Sequence, residues 1–274
     1  MDVLERRGFN RPTSGLFDLG VVDGQRVLAP AEAQNGMLVI AEVGFDVLYG
    51  YKGPWSVICD TFGLRGEVWK RKEEKVTPGE EDGWSWFAEE VMKSTDAQTV
   101  AYIMGANGPS RIYAGPAEGA GPSLKPHLMR KELRQCRFLI VSAGGRPYDD
   151  TLSSTLKAAC NHYSVLAKDG ELVVLGEAGK GLGSKPLEML FEGMRVPSSY
   201  IEGMEDLSCI ELLKERGNLS LVTALPEAML KGLDLKAYRS VSKVFEEVES
   251  RHGWRMKATV IHHGALTLSK PVKG

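Results

Sequence analysis

Apolar positions along this chain follow two regimes. Over residues 1–114 they come in short runs punctuated by turn residues. Arg26–Ala29 and Met37–Val43 lie beside Asp-Gly and Asn-Gly pairs, Thr99–Met104 is a third such run, and all three read as strands. One helix is predicted in this part, at Trp84–Lys93, where Trp84, Phe87, Val91 and Met92 approach helical spacing. Glu67–Glu81 is mostly charged and reads as solvated loop or hairpin. Residues 115–126, GPAEGAGPSLKP, hold three Gly and three Pro and read as a linker stiffened by its prolines.

From residue 127 apolar runs alternate with helical stretches. His127–Gln135 is basic and reads as a helix. Arg137–Ser142 and Glu171–Leu175 are short, nearly continuous apolar runs, the pattern of buried strands. Thr151–Lys168 reads as a helix capped by Asp149 or Asp150. Pro186–Met194 has proline at a helix start, and Leu207–Glu215, Pro226–Lys231 and Ala237–Glu249 are also helical. Leu219–Thr223 and Ala258–Ile261 are the remaining strands. Strands separated by helices pair in parallel through right-handed crossovers. The expected architecture is α/β: a Rossmann-like parallel-sheet domain of four or five strands over residues 127–274, and a smaller strand-rich part over 1–114.

Composition removes classes without choosing among those left. With 43% hydrophobic and 26% charged residues the chain is globular, and a net charge of -2 argues against a nucleic-acid partner. The basic stretch Lys125, Arg130, Lys131 and Arg134 reads as a solvated helix face. No apolar run approaches the ~20 residues of a membrane span. The first residues are charged where a signal peptide would be apolar, and the four scattered cysteines form no C-x-x-C. A soluble cytoplasmic protein with buried thiols is expected. Nine of the 21 aromatic residues lie between Phe45 and Phe87. Tyr49, Tyr51 and Trp55 among them read first as a small core and second as a pocket wall or homo-oligomer interface.

Open parallel sheets bind ligands beyond the C-terminal ends of their strands. Three loops hold such places: Ala143–Pro147, Gly176–Gly183 and Ala224–Pro226. A strand, a Gly-rich loop and a helix N-terminus together bring free N–H groups and a positive dipole end to one point, which suits an anion. Gly179, Lys180, Gly181 and Gly183 form neither a G-x-G-x-x-G nor a Walker A sequence, and a tight turn needing positive φ explains them as well.

The most specific segment is Ser142–Lys157, SAGGRPYDDTLSSTLK. It resembles the C-terminal half of the nickel-pincer lactate racemase family, in which a strand ends in Ser-x-Gly-Gly-x-Pro-x-Asp and leads to a helix bearing a lysine about two turns on. Gly144, Gly145, Pro147, Asp149 and Lys157 match, and the likeness continues through Ala167–Val174, the Gly-rich loop and the strand near Val260, roughly residues 99–265. The resemblance implies that Lys157 faces a ligand cleft between the two parts of the chain. The family's glutamine on the same helix face falls on Ser154.

The resemblance also implies two acid–base histidines, a histidine on nickel and a cofactor-tethering lysine, all N-terminal. This chain has no histidine before His127. His262 and His263, adjacent on a predicted strand, would face opposite sides, and Cys160 and His162 different helix faces. No metal site and no cofactor are therefore expected. The absence of G-x-S-x-G leaves a serine hydrolase unsupported.

The expected function is a lactate-racemase-like protein that lacks the nickel and acid–base histidines. It would bind a small carboxylate or phosphate through Gly144, Gly145, Arg146, Ser154, Lys157, Gly179, Lys180, Gly181 and Gly183. Two alternatives stand beside it: an isomerase using Lys157 as base and Asp149 as its orienting partner, alone or with a partner half, and a structural or assembly protein. If Lys157 is a ligand group and not a structural ion-pair partner, Lys157→Ala abolishes ligand stabilisation and leaves the ligand-free melting temperature nearly unchanged.

Overall fold

Along Met37–Glu42 buried and less buried side chains alternate, the signature of a strand with one face on a core. In the computed structural model this strand lies second in a sheet of the first of two units, Met1–Leu128 and Met129–Gly274. The structure describes residues 2–4, 16–22, 25–30, 37–73, 75, 76, 78–80, 92, 96–253 and 255–272; for 2–4, 16–22, 25–30 and 252 it describes the backbone alone.

The first unit contains β1 (Asp2–Leu4), β2 (Leu16–Val22), β3 (Gln25–Pro30), β4 (Met37–Glu42), β5 (Gly44–Asp46), β6 (Gly50–Lys52), α1 (Pro54–Thr61), α2 (Arg65–Arg71), β7 (Gln98–Gly105), β8 (Gly108–Pro116) and α3 (Ala117–Leu124). Its main sheet has the order β1-β4-β7-β8, parallel except for the β7–β8 pair. Helix α2 takes the start of the segment expected as charged loop. The expected helix Trp84–Lys93 lies outside the described residues, apart from the helical Met92.

Residues 115–126, expected as a linker, mostly form α3 within the first unit. Small residues explain this. Ala117, Ala120 and Gly121 are buried, and a Cβ at Gly121 would stand 3.3 Å from the Trp55 indole, so the helix can lie close to that ring. Lys125 Nζ then sits 4.7 Å from the Trp55 ring and 5.3 Å from that of Tyr51. Tyr49, Tyr51 and Trp55 are all buried, which is the core reading of the aromatic cluster. The Tyr49 hydroxyl donates to Asp60, which also accepts from Arg65 at 3.0 Å. Burial, and then the Asp60 charge, push that hydroxyl well above its ordinary pKa.

The second unit contains β9 (Met129–Leu133), β10 (Cys136–Ser142), α4 (Leu152–Cys160), β11 (Leu166–Leu175), α5 (Lys185–Phe191), α6 (Met204–Arg216), β12 (Gly217–Val222), α7 (Glu227–Gly232), β13 (Lys236–Tyr238), α8 (Val241–His252), β14 (Thr259–Ile261) and β15 (Thr267–Pro271). Five parallel strands form one sheet in the order β13-β12-β11-β10-β14. Phe138, Ile140 and Val173 meet Val244 and Val248 of α8 on one face. Leu139, Val141, Leu172 and Val174 point the other way and are fully buried on the side of α4 and α6. Each such side chain contributes about 2 kcal/mol through burial.

Three sequence expectations change here. His127–Gln135 is mostly the strand β9, because its five residues pair in parallel with β15. The helix begun near Thr151 ends at Cys160, not Lys168. Just beyond it Asn161 and His162 turn into the protein and bond Gly264, and the chain leaves the helical path. Ala237–Glu249 divides between β13 and α8. Cys59, Cys160 and Cys209 are buried free thiols and Cys136 is half-buried. Among the described residues no helix is long and apolar enough to cross a membrane.

Candidate functional site

The sheet order locates the site. From β10 the chain winds outward through β11, β12 and β13, then returns to place β14 on the other side of β10. The loops beyond β10 and β14 are therefore neighbours at the reversal point, beyond the C-terminal strand ends, where parallel sheets commonly bind ligands. Gly144, Gly145 and Arg146 leave β10 there, and His262 and His263 leave β14. The two loops touch: Ala265 N–H donates to Ala143 O at 3.2 Å. Gly144 has φ 118, which favours glycine, and a Cβ on it would lie tightly, 3.2 Å from His263 Cα and 3.4 Å from His263 Nδ1.

Among the described residues the backbone N–H groups of Gly144, Gly145 and Arg146 have no hydrogen-bond acceptor. Both glycines have positive φ, 118 at Gly144 and 78 at Gly145, so three consecutive unbonded donors follow the strand end. The Arg146 guanidinium is 70% exposed, 3.6 Å from Asp150 and 3.8 Å from Glu177. Both adjacent histidines are exposed.

The neighbouring helix N-terminus does not add to these donors. Its cap is Thr151, one residue beyond the two aspartates expected to serve. Thr151 and Ser154 bond each other reciprocally, Ser154 N to Thr151 Oγ1 at 3.2 Å and Thr151 N to Ser154 Oγ at 3.1 Å. Leu152 N–H and Ser153 N–H donate to Gly181 O and Leu182 O, each at 3.0 Å. Every donor of the first turn is thus satisfied within the protein. The Gly-rich loop serves as the inner partner of α4: Ala178 N–H and Lys180 N–H donate to Asp149 O and Asp150 O, both at 2.7 Å. Gly183, with φ 83, passes so close that a Cβ would lie 2.4 Å from that of Thr151. Lys180 is engaged by Asp150.

Lys157 is also committed elsewhere. Its Nζ lies 3.5 Å from Glu205 Oε1 and 3.4 Å from Asp206 Oδ1, two fully buried carboxylates in the first turn of α6. Asp149 instead accepts from Glu177 N–H at 3.4 Å. The structure does not bring the expected base and its orienting partner together, and it makes Lys157 an ion-pair anchor of the core. A buried acid pair left without its cation is costly, so an unchanged ligand-free melting temperature in Lys157→Ala is no longer expected.

His263 is the group that sequence reasoning missed. The strand ends at Ile261, and His263 takes a left-handed turn with φ 54, so the opposed-faces argument does not hold. The available signal was position: two histidines directly follow the last strand of a parallel sheet. Among the described residues no three His, Cys, Asp or Glu side chains are placed to share a metal ion.

No family model matches this chain, and no curated protein matches it in sequence. Solved structures do. The lactate racemase apoprotein from Thermoanaerobacterium thermosaccharolyticum superposes with a TM-score of 0.76 at 12% identity, covering 97% of this chain and 70% of that one. A Thermotoga maritima protein solved by a structural genomics consortium gives 0.62 at 14% identity, over 95% and 76% of the two chains. The chain has a lactate-racemase-like fold, and the likeness spans nearly all of it, beyond the expected residues 99–265.

Proposed function

We propose that this racemase-like chain binds a small hydroxy-carboxylate at the reversal point of its parallel sheet, without the nickel-dependent proton-transfer machinery. The observation that carries the reading is the run of free N–H donors at Gly144, Gly145 and Arg146 where the β10 and β14 loops meet at the reversal of strand order. A carboxylate would accept these donors, with the Arg146 guanidinium at its flank and the His263 imidazole within reach of a neighbouring hydroxyl. Asp149, Asp150 and Glu177 outnumber the cations Arg146 and Lys180 on this face, which favours a monoanion over a dianion. Affinity is then modest, about millimolar, or ~4 kcal/mol.

The nickel-pincer group does not fit the side chains present. His162 is fully buried with both ring nitrogens bonded, to Ser269 Oγ at 2.9 Å and Gly264 O at 3.0 Å. His262 and His263 are successive loop residues, and the first unit's histidine, His127, stands near its end. The reading predicts less than one nickel per chain by metal analysis and no interconversion of D- and L-lactate with added cofactor. The direct test is thermal shift with a panel of small organic acids. Lactate or a near analogue should raise the melting temperature of the native chain by mass action, and Arg146→Ala should reduce the rise. No shift across the panel would remove the binding function and leave the scaffold alternative.

A further inference from the structure

At the opposite, N-terminal end of the same sheet lies a cavity of about 510 Å³. It is formed where β12 and β13 begin and where α6, α7 and α8 end. Its volume is in the range that holds small organic ligands. Four cations line it, Lys214, Lys231, Lys236 and Arg251, against one carboxylate, Asp234. Leu219 and Leu235 supply buried apolar surface, and Asn218 and Ser220 supply hydrogen-bonding groups.

The cations are held from behind. Arg251 NH1 bonds Glu171 Oε1 at 2.8 Å and its NH2 lies 3.3 Å from Glu247 Oε1. Lys236 also bonds Glu247, and Lys214 reaches the fully solvated Asp234 at 2.7 Å. Neither Glu171 nor Glu247 is part of the lining. Counting both behind it, the cluster still carries one net positive charge. The side chain of Lys231, exposed at the end of α7, has no ion-pair or hydrogen-bond partner among the described residues. Last-turn lysines and arginines also complement helix C-termini. That role accounts for their sign, but not for their convergence on one cavity from three helices and a strand.

We infer that this cavity is a binding site for a small organic phosphate, separate from the strand-end face proposed above. The phosphate takes Lys231, Lys236 and Arg251, and the organic part rests on Leu219 and Leu235. Three cations meeting a dianion supply charge-assisted bonds worth more than neutral ones. The experiment is isothermal titration of the full chain with ribose 5-phosphate, and with ribose as the uncharged control. Ribose 5-phosphate should bind, ribose should not, and Lys231→Glu should weaken binding about tenfold or more. Arg146→Ala, at the other end of the sheet, should leave this binding unchanged. Because Lys231 is exposed and unpaired, Lys231→Glu should fold with the native circular dichroism spectrum. Absence of binding at about 10 mM, equal binding of ribose, or full affinity in Lys231→Glu each overturns the inference.

Discussion

His162 makes the stability of the second unit depend on pH in a calculable way. The side chain is fully buried between α4 and the 264–269 segment. A carbonyl can only accept, so Nε2 carries the proton to Gly264 O and Nδ1 accepts from the Ser269 hydroxyl. Burial, and more weakly the charge of Lys131, lower its pKa from 6.5 to about 4, against a partial rise from the Gly264 bond. In the unfolded chain the imidazole takes its proton near 6.5; in the folded chain it stays neutral until about 4. The stabilisation is therefore complete above pH 6.5 and is lost as pH falls through this window. At about 1.4 kcal/mol per pH unit the whole loss is roughly 3 kcal/mol. Urea denaturation from about pH 7.5 down to about 4.5 measures it. His162→Gln costs about 1–3 kcal/mol near neutrality, because it breaks a satisfied buried pair, and it flattens the acid slope. Equal slopes in the two proteins, or a His162 ring signal titrating near 6.5, would refute the reasoning.

Two further outcomes follow from the site's surroundings. Lys157→Met should destabilise the chain by about 3 kcal/mol in urea melts at neutral pH, since it removes the ammonium group that faces the buried Glu205 and Asp206. Gly183→Ala should cost about 3 kcal/mol, while Gly181→Ala, with φ 93 but open space around it, should cost only about 1 kcal/mol of backbone strain. Thermal or urea melts of the pair separate close approach from conformation.

The second unit's sheet was readable because Phe138–Val141 and Glu171–Val174 are buried on both faces and so appear as nearly continuous apolar runs. Strand β9, MRKEL, was not, since it is largely exposed and its partner β15 lies more than a hundred residues away. In α3, Gly and Pro signalled a loop, and only contact with Trp55 shows that the small side chains serve packing. Gly144, Gly145 and Arg146 were legible as a strand-end loop. Two distant facts hid the rest: Lys157 answers to two acids on another helix, and His263 reaches Gly144 only because β14 returns beside β10.

The central claim concerns three amide protons, which makes it directly observable. In a ¹⁵N-labelled chain titrated with L-lactate, the backbone amide signals of Gly144, Gly145 and Arg146 should move most and saturate together at about millimolar ligand. His263 ring signals should follow, and residues around Lys231 should stay still. Saturating shifts confined to other residues, or no shifts at all for any small hydroxy-carboxylate, would contradict the account.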